Sequence, residues 1–472
     1  MLAEQEKIKH LLNRAAYGYT PEWWNTQKSS GQVLNDLFNS SDSYNSIELI
    51  TTQDLQNWKD QKNNDPAKFK KVVTEVFKDN TRELNVRWMS EMINAKDILR
   101  EKMSVFWHTN LAVRVQNPYF NQQYIEVLRK YALSDFGTLL REVSKTPAML
   151  NFLNNQQNNK SHPNENFARE VMELFTLGRG NYTEDDIKEA ARSFTGWGFD
   201  LLGNFKFRVQ QHDYGQKTIF GKTGNYTGDD VLGLLLERKE CAYFITKKVY
   251  KYFVNEEADD TIVKTLADKF YQSNYNIPVL LKDIFTADWF YDEKNAGAKI
   301  KSPNDLLVGM FRTIPVQFQK DTSYAFLQKM LDQVLLFPPN VAGWPGGKSW
   351  IDSSTLLTRM RLPQIVYYDK EINMQPKEDT PEMGEGKMKM ADNFIKDMFN
   401  KKLGTQANWE PLLTSFAENK NTELSLAQKL IAQPLDSATM ALLMKYSDIT
   451  SRENRIKSTA INLMSLPDYQ LC

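Results

Sequence analysis

Cysteine is nearly absent: two residues, Cys241 and Cys472, in a chain of 472. That number excludes a disulfide framework and a cysteine-built zinc site, both of which need several thiols. Long apolar runs are missing too. No stretch reaches eighteen residues, so no membrane span is expected. The start, MLAEQEKIKHLLNRAAYG, has no basic segment followed by an unbroken apolar one. It reads as a soluble chain without a signal peptide, cytoplasmic by default. Net charge is the third absence. Lys plus Arg and Asp plus Glu each number 59, so no overall field draws the molecule to nucleic acid or anionic lipid. The GxxxxGKS/T phosphate loop, the G-x-S-x-G elbow and HExxH are also missing.

Helical periodicity is what the chain has in quantity. VRWMSEMINAKDILREKMSVFWHTNL, NQQYIEVLRKYALSDFGTLLREVSKTPAML and DVLGLLLERKECAYFITKKVYKYFV place apolar residues three and four apart over many turns. Within the last, Lys247, Lys248 and Lys251 read as a solvated helix side. Ten Trp add an aromatic-rich interior. The expected fold is mainly α, a large multi-helix globular domain with a short β-hairpin insertion and a small helical C-terminal unit. The hairpin is expected in GNFKFRVQQHDYGQKTIFG, where Phe205 and Phe207 alternate with polar residues and His212 and Asp213 fall on the connection. Three segments read as loops: SSDSYNSIELITTQDLQNWKDQKNNDPAKFK, NNQQNNKSHPN and KEINMQPKEDTPEMGEGKMKM. The third sets the division into a main domain at 1–366, a charged linker at 367–390 and a C-terminal unit at 391–472.

The stretch HPNENFAREVMELFTLGRGNYTEDDIKEAARSFTGW is dense in polar groups within an apolar pattern. At about 100° per residue, Asn166, Arg169, Glu170 and Glu173 share one sector, while Phe167, Val171, Met172, Leu174 and Phe175 fill the rest. A buried helix with a polar stripe is expected, with Arg169 paired to an internal carboxylate. The alternative is a solvated stripe joined by Glu165 and Arg169 at i,i+4. Thr183 and Asp186 form a capping box for the next helix.

In REKMSVFWHTN, Glu101, Ser104 and His108 lie on one helix face. A carboxylate one or two turns from an imidazole fixes its tautomer or shares a metal with it. His108, His162 and His212 all sit in polar motifs. Mixed His and carboxylate ligation suits Zn, Mn or Fe, so a divalent metal held by His108, His212, Asp213 and Glu101 is one expectation, and a metal-free acid/base pair the other.

FPPNVAGWPGGKSWIDSSTLLTRM combines Gly343, Gly346 and Gly347 with Trp344 and Trp350. It reads either as a core-filling loop or as a pocket rim whose two Trp faces hold a ligand or cofactor. Ser353 or Ser354 is the expected cap of the helix that follows.

In this order, LLNRAAYG, REKMSVFWHTN, PNENFAREVMELFTLGRGNYTEDDIKEAARSFTGW, HDYGQKTIFG, KSPNDLLVG and FPPNVAGWPGG resemble the large bacterial family called domain of unknown function 1800. The terminal LMSLPDYQLC resembles members from Bacteroidota-type bacteria. The resemblance implies frequent export and a sulfatase-like partner encoded by a neighbouring gene, and it implies no reaction. Many members carry His where this chain has Phe175, so a ligand role at that position is lost here.

Three functions are consistent with these residues. The first is an enzyme, metal-assisted or not, whose internal site is lined by Glu101, His108, Glu170, Glu173, His212 and Asp213 and oriented by Asn166 and Arg169. The second is a non-catalytic accessory or scaffold protein. The third is a carbohydrate-binding or carbohydrate-cleaving protein, although adjacent carboxylates on one helix do not make the opposed pair that cleavage requires.

Overall fold

Short polar residues punctuate the chain and set where helices begin. Ser29, Thr51, Thr183, Thr227 and Ser302 each open a helix in a capping box, pairing with the residue three positions on. A computed structural model describes residues 2–200, 202–373, 401–416 and 421–472. The described residues are mainly α-helical, with strands only in three two-stranded antiparallel ribbons. None of their helices is long and apolar enough to cross a membrane.

The Ile98–Asn110 helix lies at the centre. Every residue from Ile98 to His108 is buried, including Arg100, Glu101, Lys102, Ser104 and His108. A helix covered on all sides must satisfy its charges inside the protein, so this element decides where buried polar chemistry sits. Around it pack the Val76–Asn94 and Pro118–Tyr131 helices and the opening helix Glu4–Ala15.

One expected loop is helical. The polar segment after Ser41 forms helices at Thr52–Asn64 and Pro66–Thr74, started by the Thr51 and Asp65 caps and by Pro66 at the first helical position. Capping outweighs its weak apolar period. The expected single hairpin is two: Trp197–Phe199 pairs with Phe205–Phe207, and Lys217–Ile219 with Lys222–Gly224. His212 and Asp213 lie on the connection between them.

The polar helix is shorter than its period suggests. It runs α-helical over Asn166–Glu170 and then widens into a π-helical turn at Val171–Thr176. Thr176 Oγ1 donates to the Val171 carbonyl at 2.6 Å, a bond five residues back that favours the wide turn. Phe167, Ala168, Val171, Met172, Phe175 and Thr176 are buried, while Asn166 is exposed.

Of the expected linker, residues 374–390 lie outside the described residues. Beyond it, helices at Thr422–Leu430, Ser437–Tyr446 and Arg452–Met464 share one apolar core with the rest, and Arg452–Met464 packs on Ser353–Tyr367. Two backbone pairings fasten this part: Val316–Phe318 with Thr405–Ala407, and Ile300 with Leu471.

Candidate functional site

The Gly-Trp loop is built on backbone that only glycine adopts readily. Gly343, Gly346 and Gly347 have φ of 77°, 76° and 55°. At Gly343 a Cβ would stand 2.0 Å from the Thr109 carbonyl oxygen, and at Gly347 2.6 Å from the Glu256 carboxylate. The loop therefore presses onto the end of the central helix. Asp352, rather than Ser353 or Ser354, caps the next helix, accepting from the Ser354 and Thr355 N–H groups.

Beneath the loop is a cavity of about 610 Å³. Trp344 and Trp350, both largely buried, form one wall with Phe106 and Tyr252. Both Trp residues singled out in the sequence thus border the cavity. Lys248, Lys251, Lys299 and Lys348 line it as well, facing Glu256, Glu257 and Asp305.

Behind this lining the charge is one-sided. Arg14, Lys102, Lys301 and Arg359 are all buried, and with Lys299 they lie in the field of Asp305. Burial disfavours the Asp305 carboxylate, yet the Lys102 ammonium and the Ser302 cap hold its pKa below the usual carboxylate range. Asp305 does two jobs: it ends the capping box of the Pro303–Thr313 helix and pairs with Lys102. Glu256 and the charge at Cys472 are the other anions this cluster feels. Cations outnumber them. Arg14 Nε and Nη1 and Arg359 Nε and Nη2 are buried without a hydrogen-bond partner. Burial pushes the ammonium groups of Lys299, Lys301 and Lys248 down to about 8.

The other sequence-selected residues divide into separate places. Glu101 and His108 share the central helix but do not touch. Glu101 takes Arg129 Nη2 at 2.8 Å and Trp88 Nε1 at 2.9 Å. His108 Nε2 accepts from the Leu336 N–H at 3.0 Å, which puts the ring proton on Nδ1, beside the Tyr124 oxygen at 3.4 Å. Both ring nitrogens are engaged, and burial pushes the imidazole pKa down to about 3. The Trp88 ring lies 5.4 Å from His108, and His108 lies 5.4 Å edge-on from Trp344. Through Trp88, tilted against His108, and His108, edge-on to Trp344, the two buried groups back the cavity wall.

His212 is buried among different neighbours. Its Nδ1 meets the Thr195 carbonyl at 2.9 Å and its ring packs between Phe207 and Tyr214. Asp213 binds Arg192 at 2.8 Å, which holds its pKa down. His162 is exposed. Among the described residues no three His, Cys, Asp or Glu side chains come together as a metal-ligand group.

Arg169 pairs at the surface, with Glu165 at 3.1 Å and Glu184 at 2.7 Å, rather than with an internal carboxylate. The start of the helix at Asn166 leaves this side open to water. Asn166 Nδ2 donates to the Leu153 carbonyl at 3.2 Å. Burial and then Glu173 raise the Glu170 pKa, whereas bonds from Tyr182 and Arg179 lower that of Glu173.

Sequence reasoning missed the cluster around Asp305. Its residues come from LLNRAAYG, REKMSVFWHTN, AKIKSPNDLLVG and STLLTRM, so the signal was one or two basic residues inside each of four otherwise apolar or capping patterns. Lys248 was also misplaced on a solvated face: its Nζ donates to the Leu174 carbonyl at 2.7 Å, at the π-helical turn.

No curated protein and no solved structure matches the chain. A family match runs over residues 10–471, through the main helices and the C-terminal unit alike. With that match spanning nearly the whole chain, the protein belongs to the family described as protein of unknown function DUF1800.

Proposed function

We propose that the protein binds and acts on an anionic small molecule in the cavity under the Gly-Trp loop. The observation that carries this reading is the excess of cations around Asp305. Buried guanidinium groups with unpaired N–H donors are costly, and a bound anion in the neighbouring cavity relieves that cost through the field they share. The low-polarity Trp and Phe wall strengthens the same field. Lys251 and Lys348, exposed at the rim, meet the ligand first, and the Trp344 and Trp350 faces suit a sugar ring or planar body carrying the anionic group. A carbohydrate acid fits both features.

The test is calorimetric titration and thermal shift with inorganic phosphate, sulfate, citrate and glucuronate, set against neutral glucose. Saturable binding of at least one anion, weakened about tenfold or more by Lys251→Glu with Lys348→Glu, is expected. No saturable binding of any anion, or equal binding by the double variant, overturns the reading.

An accessory role beside a sulfatase-like partner is the second reading. One observation favours it: Leu442, Met444, Tyr446 and Ile449 leave large apolar surfaces exposed on and just after the Ser437–Tyr446 helix. Co-expression with that neighbour should give a complex that Leu442→Ser with Ile449→Ser disrupts. A complex unaffected by the pair removes the support.

A further inference from the structure

We propose that Lys299 is a carbonyl-reactive lysine whose Nζ condenses with an aldehyde or ketone group of the anionic ligand. This rests on the anion-binding reading of the same cavity and names its substrate class: an acid that also carries a carbonyl carbon.

Lys299 differs from its neighbours in what holds its amine. Lys102 is tied to Asp305 and the Lys301 amine sits 3.7 Å over the Tyr469 ring; Lys248, like Lys299, donates to a backbone carbonyl, but it is covered by the Phe244 ring at 4.5 Å and has no second cation acting on it. Lys299 lines the cavity, and its Nζ donates only to the Lys251 carbonyl oxygen at 2.5 Å, with no ion pair among the described residues. A carbonyl oxygen orients an amine without stabilising its positive charge as a carboxylate does. Its backbone is pinned on both sides, the Lys299 N–H to the Cys472 carbonyl at 3.2 Å and the Cys472 N–H to the Lys299 carbonyl at 2.8 Å. The amine is thus presented from a fixed Cα. Burial, and then the Arg14 guanidinium, disfavour the ammonium form and bring its pKa to about 8. Desolvation beside a second cation is a recognised way to activate a lysine nucleophile.

The step balances without an oxidant or reductant. The neutral Nζ lone pair forms a bond to the carbonyl carbon, and the carbonyl π electrons move to oxygen, which takes up a proton. That proton comes from nitrogen, giving a neutral carbinolamine; its hydroxyl then leaves as water with the second nitrogen proton as C=N forms, so both hydrogens of the water come from the amine. Glu256 is placed to carry these protons. It lines the cavity, its charge acts on Lys299, and its buried Oε1 has no hydrogen-bond partner among the described residues.

The experiment incubates the full chain at pH 8 with glyoxylate and cyanoborohydride, followed by intact mass and peptide mapping. An amine titrating near 8 is on the order of a hundredfold richer in its neutral form at that pH than an exposed lysine. Lys248 and Lys301 share that value but are covered by the Phe244 and Tyr469 rings, so one reduced lysine adduct, located at Lys299, is expected before surface lysines react. Lys299→Arg should abolish that adduct, Lys188→Arg, at the surface away from the cavity, should keep it, and neutral propanal should label Lys299 more slowly than glyoxylate. Labelling spread over the surface, centred on Lys248, or unchanged in Lys299→Arg overturns the proposal. Anion titration of the same samples separates the two claims: binding retained without an adduct at Lys299 sinks only this one. Glu256→Gln should slow adduct formation without weakening anion binding, and equal rates remove Glu256 from the step.

Discussion

Glu101 and Arg129 meet at 2.8 Å with neither side chain exposed to solvent. Arg129 also reaches Glu126 at 2.8 Å, and Glu101 also takes the Trp88 indole N–H. Removing one partner leaves a buried charge without its mate, so Arg129→Met is expected to cost about 3–5 kcal/mol in urea melts. Glu101→Met with Arg129→Met should recover a large part of that loss. A double variant as unstable as the single one would show that the pair itself, rather than the orphaned charge, holds the centre together.

Glycines in the same loop should differ in cost. Gly346→Ala meets no neighbouring atom and bears only the strain of positive φ, about 1 kcal/mol. Gly343→Ala adds a clash with the Thr109 carbonyl and should cost several kcal/mol by the same measurement. Equal losses would mean that the loop lifts freely off the central helix.

His108 makes stability depend on acid. Its imidazole is neutral when folded down to a pH of about 3, whereas the unfolded chain protonates it near 6.5. Stability from this group is fully present above 6.5 and is lost as pH falls from there towards 3. The slope approaches about 1.4 kcal/mol per pH unit for one proton. His108→Gln should flatten the pH dependence between 6 and 4 by up to that amount. An unchanged slope contradicts the buried neutral ring.

Arg169→Ala should cost less than about 1 kcal/mol, because its partners Glu165 and Glu184 are solvent-accessible and screened. A loss of several kcal/mol would restore an interior role.

Affinity for anions should fall as pH rises through 8. Lys248 and Lys299 border the cavity, Lys301 stands behind it, and burial brings all three to about 8. Titrations at pH 7 and 9 should differ by about tenfold or more in Kd. Equal constants would place the anion away from these amines.

Periodicity made the helices legible, since apolar spacing survives whatever lies at the other end of the contact. Gly343, Gly346 and Gly347 were legible for a similar local reason, as three glycines beside Pro and Trp signal backbone that side chains would obstruct. For Trp344 and Trp350 size and setting left a core-filling loop and a pocket rim both open, and the two side chains are in fact buried while bordering the cavity. What the sequence hid was partnership over distance. Lys102 and Asp305 stand about 200 residues apart, and nothing in REKMS or KSPND names the other. Asp305 in particular looks complete as a helix cap, which conceals its second partner. Arg169 was misjudged because its stripe is judged internal or solvated only by what covers it, and Glu184 supplies no such cover.

The pairing of Lys299 and Lys301 with Cys472 and Gln470 bears on how the protein is made. A chain emerging from the ribosome delivers Arg14 early and the residues that pin Lys299 about 170 positions after Lys299 itself. At ordinary synthesis rates the 299–301 segment waits roughly 10–35 s for its partners. Until then its two lysines stay hydrated and the segment that carries Lys299 into the cavity wall is unheld, so the ligand site closes long after most of its wall has been made.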